Sequence, residues 1–202
     1  MKKFLPKNGF YFLLALFALL GFGFLFLPKG TIFLELNALH SKTLDGIFKT
    51  TNDFAETACI VLVTVLLLLF KKYGKALFIA LSVIVAGMVA QFFKRMMFAD
   101  MPRPSKFYEG IQELIMVPGV EVHGSYSFPS GHTASAFALF ASIALLNKYK
   151  WAQYVLFVLA LSTGVARMYL NQHFYMDVYA GAMIGSFTAL GLYIVFNKFK
   201  WV

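Results

Sequence analysis

Residues 128–133, FPSGHT, open the apolar run at residues 132–147. This short stretch joins turn-forming residues to a hydroxyl and an imidazole, at the point where a buried or membrane helix is expected to begin. Two interpretations are open. Ser130 can be a simple N-cap beside a proline turn, or the helix N-terminus can bind an anion while His132 provides a proton. The rest of the sequence has to separate them.

The composition indicates a membrane protein. Of the 202 residues 60% are hydrophobic and 13% are charged, whereas about a quarter of a soluble domain is charged. The lysines responsible for the net charge of +9 cluster beside long apolar runs, as is typical of membrane flanks. The sequence contains no basic stripe with interleaved aromatic residues, the pattern that would indicate a nucleic-acid partner. The single cysteine, Cys59, excludes an intramolecular disulfide framework.

Six apolar runs approach the length of about 20 residues that a bilayer-crossing helix needs. Because lipid offers backbone groups no hydrogen-bonding partner, each run is expected to be a helix. We therefore predict an all-α polytopic membrane protein, one domain over residues 1–202, in which the first run is a retained helix and not a signal peptide. The six predicted spans lie at residues 10–27, 54–70, 76–93, 132–147, 151–166 and 178–196.

Charge placement favours one orientation of these spans. Six spans place both termini on one side, and the basic residues favour the cytoplasmic side for them. The acidic residues all fall in the segments of the opposite side. The outer segments at residues 29–53 and 94–131 are the longer ones, and the first has the pattern of a short amphipathic interfacial helix.

Two polar clusters involve the outer ends of the third and fourth spans. The first, KRMMFADMPRP, contains Lys94, Arg95 and, between two prolines, Arg103. Snorkelling of basic side chains to the interface explains such residues in most membrane proteins, but the prolines restrict the backbone around Arg103. The second is the PSGH stretch, where the amides before a helix can hold an anion.

The third polar cluster is ARMYLNQHFYMD at residues 166–177. His173 and Asp177 are four residues apart, which places them on one helical face, where the carboxylate can orient the imidazole. A purely structural His–Asp pair explains the same spacing. Asp177 at the start of a span requires a partner under either interpretation.

Considered together, the three clusters indicate phosphoryl transfer. The predicted topology collects several cations, helix-end amides, two histidines and one carboxylate on one membrane face. Cations and amides suit phosphate oxygens, one histidine can attack phosphorus, and the other can protonate the leaving oxygen. The sequence has no carboxylate cluster for Mg²⁺ and no Cys/His spacing for zinc, so we expect no metal and no other cofactor.

These residues resemble the type 2 phosphatidic acid phosphatases (PAP2), a membrane superfamily that shares its helical core with vanadium haloperoxidases. The family signatures read K-x6-R-P, P-S-G-H and S-R-x5-H-x3-D. This sequence has PSGH at residues 129–132 and R-x5-H-x3-D at residues 167–177. Eight residues, not six, separate Lys94 from Arg103, and Ala166 replaces the serine of the third signature. The first departure leaves Arg95 as an alternative to Lys94.

The resemblance implies a role for each matching residue. His173 would be the nucleophile that forms a phosphohistidine, Asp177 would orient it, and His132 would protonate the leaving group. The residues that would hold the phosphate are Lys94, Arg103, Ser130, Gly131 and Arg167.

The resemblance further implies a metal-independent lipid phosphatase, whose partners are the bilayer and a phosphorylated membrane lipid. Polyprenyl diphosphate, lipid A phosphate and phosphatidylglycerophosphate are the candidate substrates. We expect an integral protein of a bacterial inner membrane with its site facing the periplasm or exterior. A phosphotransferase that uses a second lipid as acceptor and a non-enzymatic lipid or anion transporter stay open as alternatives.

A stripe of small residues in the last span bears on helix packing. Gly181, Gly185 and Ala189 recur every four residues. Such a stripe allows two helices to approach closely. We predict packing within the chain in preference to dimerisation, and the oligomeric state is not indicated.

Overall fold

A computed structural model of the protein describes residues 8–54 and 57–202, and every regular element in these residues is helical. The predicted all-α class is therefore confirmed for this part of the chain. The helices are α1 (Gly9–Phe24), α2 (Thr31–Asn37), α3 (Lys42–Phe54), α4 (Thr57–Leu69), α5 (Tyr73–Met96), α6 (Pro104–Phe107), α7 (Gly131–Leu146), α8 (Lys150–Tyr169) and α9 (Tyr175–Lys198).

Three of the six predicted spans have the length and composition that crossing a membrane requires. These are α5, α8 and α9, with 24, 20 and 24 residues. The helices α1 and α7 have 16 residues each, which at 1.5 Å per residue gives about 24 Å, short of the roughly 30 Å hydrocarbon core. The second predicted span crosses residues 55 and 56, outside the described residues. A count of six spans therefore stays a prediction.

Large apolar side chains on the outer surface mark an integral membrane protein. Leu19, Leu20, Leu69 and Phe70 are each at least two-thirds exposed. In water such a surface would favour aggregation, whereas acyl chains solvate it without cost.

Helix α7 lies at the centre of the bundle, packed against α5, α8 and α9. Its alanines are buried on every side, as expected for a helix without a polar face. The small-residue stripe of α9 fits against it, because a Cβ on Gly185 would lie 2.8 Å from the backbone nitrogen of Ala138. A Cβ on Gly181 would lie 2.5 Å from the Ser130 carbonyl oxygen. The predicted packing of this stripe within the chain is confirmed.

The outer segment at residues 29–53 forms two helices, α2 and α3, where the sequence pattern predicted one. Both pack against α8. Helix α3 turns Leu44 and Phe48 toward Tyr169, and the rings of Phe48 and Tyr169 are 4.4 Å apart. The Tyr169 hydroxyl donates a hydrogen bond of 2.6 Å to Asp45. This segment therefore packs over the C-terminal end of α8.

The long segment between α5 and α7 contains little helix but is pinned at its middle. Asn37 of α2 donates to the Ile115 carbonyl at 3.0 Å and accepts from the Ile115 nitrogen at 3.1 Å. Asn171, just after α8, also donates to the Ile115 carbonyl, at 2.8 Å. These bonds hold the segment against the residues that precede His173.

The contact between α7 and α9 yields a stability test. We expect Gly185→Ala to lower the free energy of unfolding by about 1–3 kcal/mol, because its methyl group overlaps the α7 backbone. Thermal unfolding in detergent measures the change. Gly191→Ala is the matched control in α9, since no atom lies within 4 Å of its added Cβ. Equal stability of the two variants would contradict the close packing.

Candidate active site

A cavity of about 550 Å³ lies between α4, α5, α7 and the C-terminal end of α8. Five of the eight predicted site residues line it, namely Lys94, Arg103, Gly131, His132 and Arg167. The other three adjoin this wall: Ser130 precedes Gly131 and its amide donates to the Asp177 carbonyl at 3.0 Å, while His173 and Asp177 form a contact of their own. The structure thus brings all eight predicted residues together.

His173 lies in the turn between α8 and α9 and is fully buried. Its Nδ1 is 3.3 Å from Oδ2 of Asp177, so a proton on Nδ1 can be donated to the carboxylate. Burial lowers the pKa of His173 well below its usual value, although Asp177 acts in the opposite direction. Nε2 has no hydrogen-bond partner among the described residues. A neutral imidazole with an unshared Nε2 lone pair is suited to nucleophilic attack.

Asp177 is buried in the first turn of α9 and connects three parts of the site. Besides contacting His173, Oδ2 accepts hydrogen bonds from the Phe174 amide at 2.9 Å and from the Ser127 hydroxyl. The helix N-terminus further favours the negative charge. Ser127 was not predicted, because a serine before a turn carries no signal of a distant partner.

Ser130 has the geometry of an N-cap. Its side-chain oxygen accepts from the Thr133 amide at 3.3 Å and lies 2.9 Å from the Thr133 hydroxyl. The serine is fully buried. Of the two interpretations open for this residue, the cap is present, while a contact between its hydroxyl and phosphate stays a prediction.

Three cations reach the cavity from different elements. Lys94 ends α5, Arg103 precedes α6 and Arg167 ends α8, and each is less than 9% exposed. Neither Lys94 nor Arg103 forms an ion pair with a described carboxylate. Buried cations without such partners are costly unless an anion joins them. The cavity is therefore built to receive an anion.

The unusual spacing of the first signature does not separate its two cations. Lys94 and Arg103 line the same cavity even though eight residues stand between them. Arg95, the alternative to Lys94, is exposed and is not part of this lining. The geometry therefore favours Lys94 over Arg95 as the cation of the first signature that faces this cavity.

Gln172 holds Arg103 in place and was not predicted. Its Oε1 accepts from Nη1 of Arg103 at 2.7 Å, and its Nε2 donates to the Glu121 carbonyl at 2.6 Å. Nε of Arg103 donates to the Ser125 carbonyl at 2.9 Å. Gln172 is 2% exposed and directly precedes His173. The orientation of one cation is thus coupled to the turn that contains His173.

Arg167 is oriented by α3. One of its guanidinium nitrogens, Nη1, donates to Oδ1 of Asn52. Asn52 belongs to the segment that was predicted only as an interfacial helix, and its local sequence contains no sign of a role in the site. The contact arises because α3 packs across the C-terminal end of α8.

The hydrogen bond between Gln172 and Arg103 yields a binding test. We expect Gln172→Leu to weaken vanadate binding about tenfold, because Arg103 loses a charge-assisted hydrogen bond that is worth roughly 1.5 kcal/mol or more. Isothermal titration in detergent measures the affinity.

Gln153→Leu is the matched control. Gln153 is 5% exposed and makes comparable hydrogen bonds, to the Gly9 amide at 2.6 Å and the Asn147 carbonyl at 2.7 Å, at the other end of α8. Both variants lose stability, but only Gln172→Leu is expected to lose vanadate affinity. An equal loss in both would show a general effect of destabilisation.

Comparison with known proteins places the chain in a family. The model of the PAP2 superfamily matches residues 75–201, which contain the whole cavity lining except Ile60. A lipid A 4'-phosphatase of Porphyromonas gingivalis is 31% identical over 181 residues, which cover 85% of this chain and 75% of that protein. A lipid A 4'-phosphatase of Bacteroides thetaiotaomicron is 29% identical over 120 residues, 59% of this chain. The match spans 53% of the Bacteroides protein's length.

The fold is also that of a solved structure. The crystal structure of Aquifex aeolicus LpxE superimposes with a TM-score of 0.73 at 22% identity, covering 84% of this chain and 96% of that one. A likeness at this identity concerns the fold alone. Because the family model matches more than half of this chain, the chain belongs to the PAP2 superfamily.

Proposed function

We propose that the protein is a lipid phosphatase that removes phosphate from a membrane lipid through a phosphohistidine at His173, without a metal ion. The observation that carries the proposal is the buried, unpartnered Nε2 of His173 beside a cavity with three buried cations. The pairing of His173 with Asp177 supports the nucleophilic role. Membership of the PAP2 superfamily supports the reaction class.

In the first step, Nε2 of His173 attacks phosphorus and the bond from phosphorus to the lipid oxygen breaks. His132 gives its proton to that oxygen, and the lipid alcohol or lipid phosphate departs. Lys94, Arg103 and Arg167 stabilise the equatorial oxygens, together with the amides at the N-terminus of α7. Asp177 stabilises the positive charge that develops on the His173 ring.

In the second step, a water molecule attacks the phosphohistidine. His132, now neutral, accepts a proton from this water as the N–P bond breaks, and inorganic phosphate leaves. Both histidines then return to their starting protonation states. A lipid hydroxyl in place of water would make the protein a phosphotransferase, because the first step is the same.

The shape of the cavity supports a lipid substrate. Gly87 and Gln91 of α5 and Ser135 of α7 extend the lining from the cations toward the middle of the bundle, and Ile60 of α4 borders the same space. A headgroup can therefore lie at the cations while its tail continues along the helices. The substrate candidates remain polyprenyl diphosphate, lipid A phosphate and phosphatidylglycerophosphate. We place the site on the outer face of a bacterial inner membrane.

Loss of the nucleophile tests the mechanism. We expect His173→Ala to abolish phosphate release from every lipid phosphate in a panel of the three candidate classes, assayed in detergent with EDTA present. His40→Ala is the matched control, since the His40 side chain is also buried and paired with a carboxylate, Asp45, at 2.9 Å, but its ring packs against Tyr169. An active His173→Ala protein, or wild-type release that EDTA abolishes, would overturn the mechanism.

Ser130 variants separate the cap from a phosphate contact. Ser130→Ala is expected to lower stability by about 1 kcal/mol through the lost N-cap and to reduce phosphate release without abolishing it. Ser130→Asn keeps a capping side chain, so thermal unfolding should show recovered stability. Full recovery of phosphate release in Ser130→Asn would indicate that the hydroxyl acts only as the cap.

A further inference from the structure

The active-site cavity, the one of about 550 Å³ that His132 lines, is also lined by a further histidine, His123. The protein has four histidines. His132 and His173 take part in the two chemical steps proposed above, and His40 packs against Tyr169. His123, in the loop before α7, has no task in that reaction. It is therefore an ionisable group of the cavity whose role is open.

The backbone at His123 is fixed to the segment that carries Arg103. The Ser105 hydroxyl donates to the His123 carbonyl at 3.1 Å, and the Arg103 amide donates to the Gly124 carbonyl at 2.9 Å. The Arg103 side chain donates to the next carbonyl, that of Ser125, at 2.9 Å. These bonds hold His123 beside one of the three buried cations without using its ring.

The ring of His123 is available to a ligand. The side chain is 60% exposed. Its Nδ1 lies 4.0 Å from Oε1 of Glu121, which is too long for a hydrogen bond, and within the described part of the chain the ring makes no hydrogen bond. An imidazole that borders a cavity of buried cations can therefore donate to an anion bound there.

The charges around His123 are mostly positive. Four cations line the active-site cavity or a neighbouring cavity that His123 also borders, namely Lys94, Arg95, Arg103 and Arg167. The other titratable groups around it are Glu121, Tyr126 and His132. An imidazole changes its charge between about pH 5 and pH 8. His123 can thus add a positive charge to those of the buried cations without taking part in proton transfer.

We infer that His123 is a substrate-binding residue, whose protonated ring donates a charge-assisted hydrogen bond to the phosphate held by Lys94, Arg103 and Arg167. This inference rests on the proposed phosphatase function. No bond forms or breaks at His123 and its proton stays on the ring, so the proton balance of the two steps is unchanged. The protein binds a phosphorylated lipid more tightly at low pH and loses this contribution as the ring becomes neutral.

The first test uses sulfate as the probe, with the whole chain in detergent. Sulfate has the shape of phosphate and keeps both negative charges from about pH 5.5 to about pH 8, the range in which imidazoles titrate. By isothermal titration we expect His123→Gln to raise the sulfate Kd about fivefold at the acidic end, the size of a strong contact between exposed charges. At the alkaline end the two Kd values should agree within about twofold, because an imidazole is neutral there.

Two further variants separate the charge of His123 from a structural role. His123→Lys keeps a positive charge over the whole range, so it should bind sulfate more tightly than the wild type at the alkaline end. Lys106→Gln removes a charge from the same segment, but Lys106 lines other cavities, and its sulfate Kd should equal that of the wild type at both ends. If His123→Gln raises Kd equally at both ends, or at neither, the inference is overturned.

Kinetics test the contact with the lipid itself. For the panel lipid that the wild type hydrolyses fastest, His123→Gln should raise KM about fivefold at acidic pH and leave kcat unchanged, because a contact made equally in the ground and transition states affects binding alone. A lower kcat with an unchanged KM would assign His123 to proton transfer and overturn the binding role. A ring that holds only the released phosphate ion would raise the inhibition constant of orthophosphate without changing KM, which would also overturn it.

The proposed function fails in a different way, when the wild type releases no phosphate from any lipid of the panel. The sulfate titration does not depend on turnover. It then still decides whether a protonated His123 contributes to an anion site in this cavity.

Discussion

The buried carboxylate of Asp177 is the interaction on which the site depends. It accepts hydrogen bonds from the Ser127 hydroxyl and the Phe174 amide and lies beside Nδ1 of His173, while its own backbone carbonyl accepts from the Ser130 amide. A carboxylate without water is costly unless donors surround it. Its donors come from the loop before α7 and the turn before α9, so satisfying one charge aligns the ends of both helices.

The balance of charge in the cavity explains what the site can bind. Three buried cations reach the cavity, whereas Asp177 is occupied by its own donors. The positive excess lies at one end of the apolar bundle, next to a lining that continues between α5 and α7. An amphiphile with an anionic head matches both properties, because its charge offsets the cations and its tail stays in the apolar layer.

The local sequence pattern predicted which helices form better than it predicted where they end. The apolar runs predicted the cores of α5, α7, α8 and α9, because apolar length and flanking charge are properties of consecutive residues. The ends of helices depend on caps and packing, which is why α1 stops at Phe24, before the predicted residue 27, and α8 continues to Tyr169, past the predicted residue 166. The segment at residues 29–53 divides into α2 and α3 because its apolar side chains pack against α8 and not only against the membrane.

The sequence by itself determined the chemical groups of the site, since the signature stretches contain the cations, the two histidines and Asp177, and the four-residue spacing of His173 and Asp177 places that pair in contact. Tertiary structure alone decided which other side chains hold these site residues in place. Ser127, Gln172 and Asn52 meet their partners through contacts between separate elements. The same packing placed Lys94 in the lining of the cavity that His132 shares, whereas Arg95 is outside that lining. Adjacent residues on a helix point about 100° apart, and only the surrounding helices determine what each one faces.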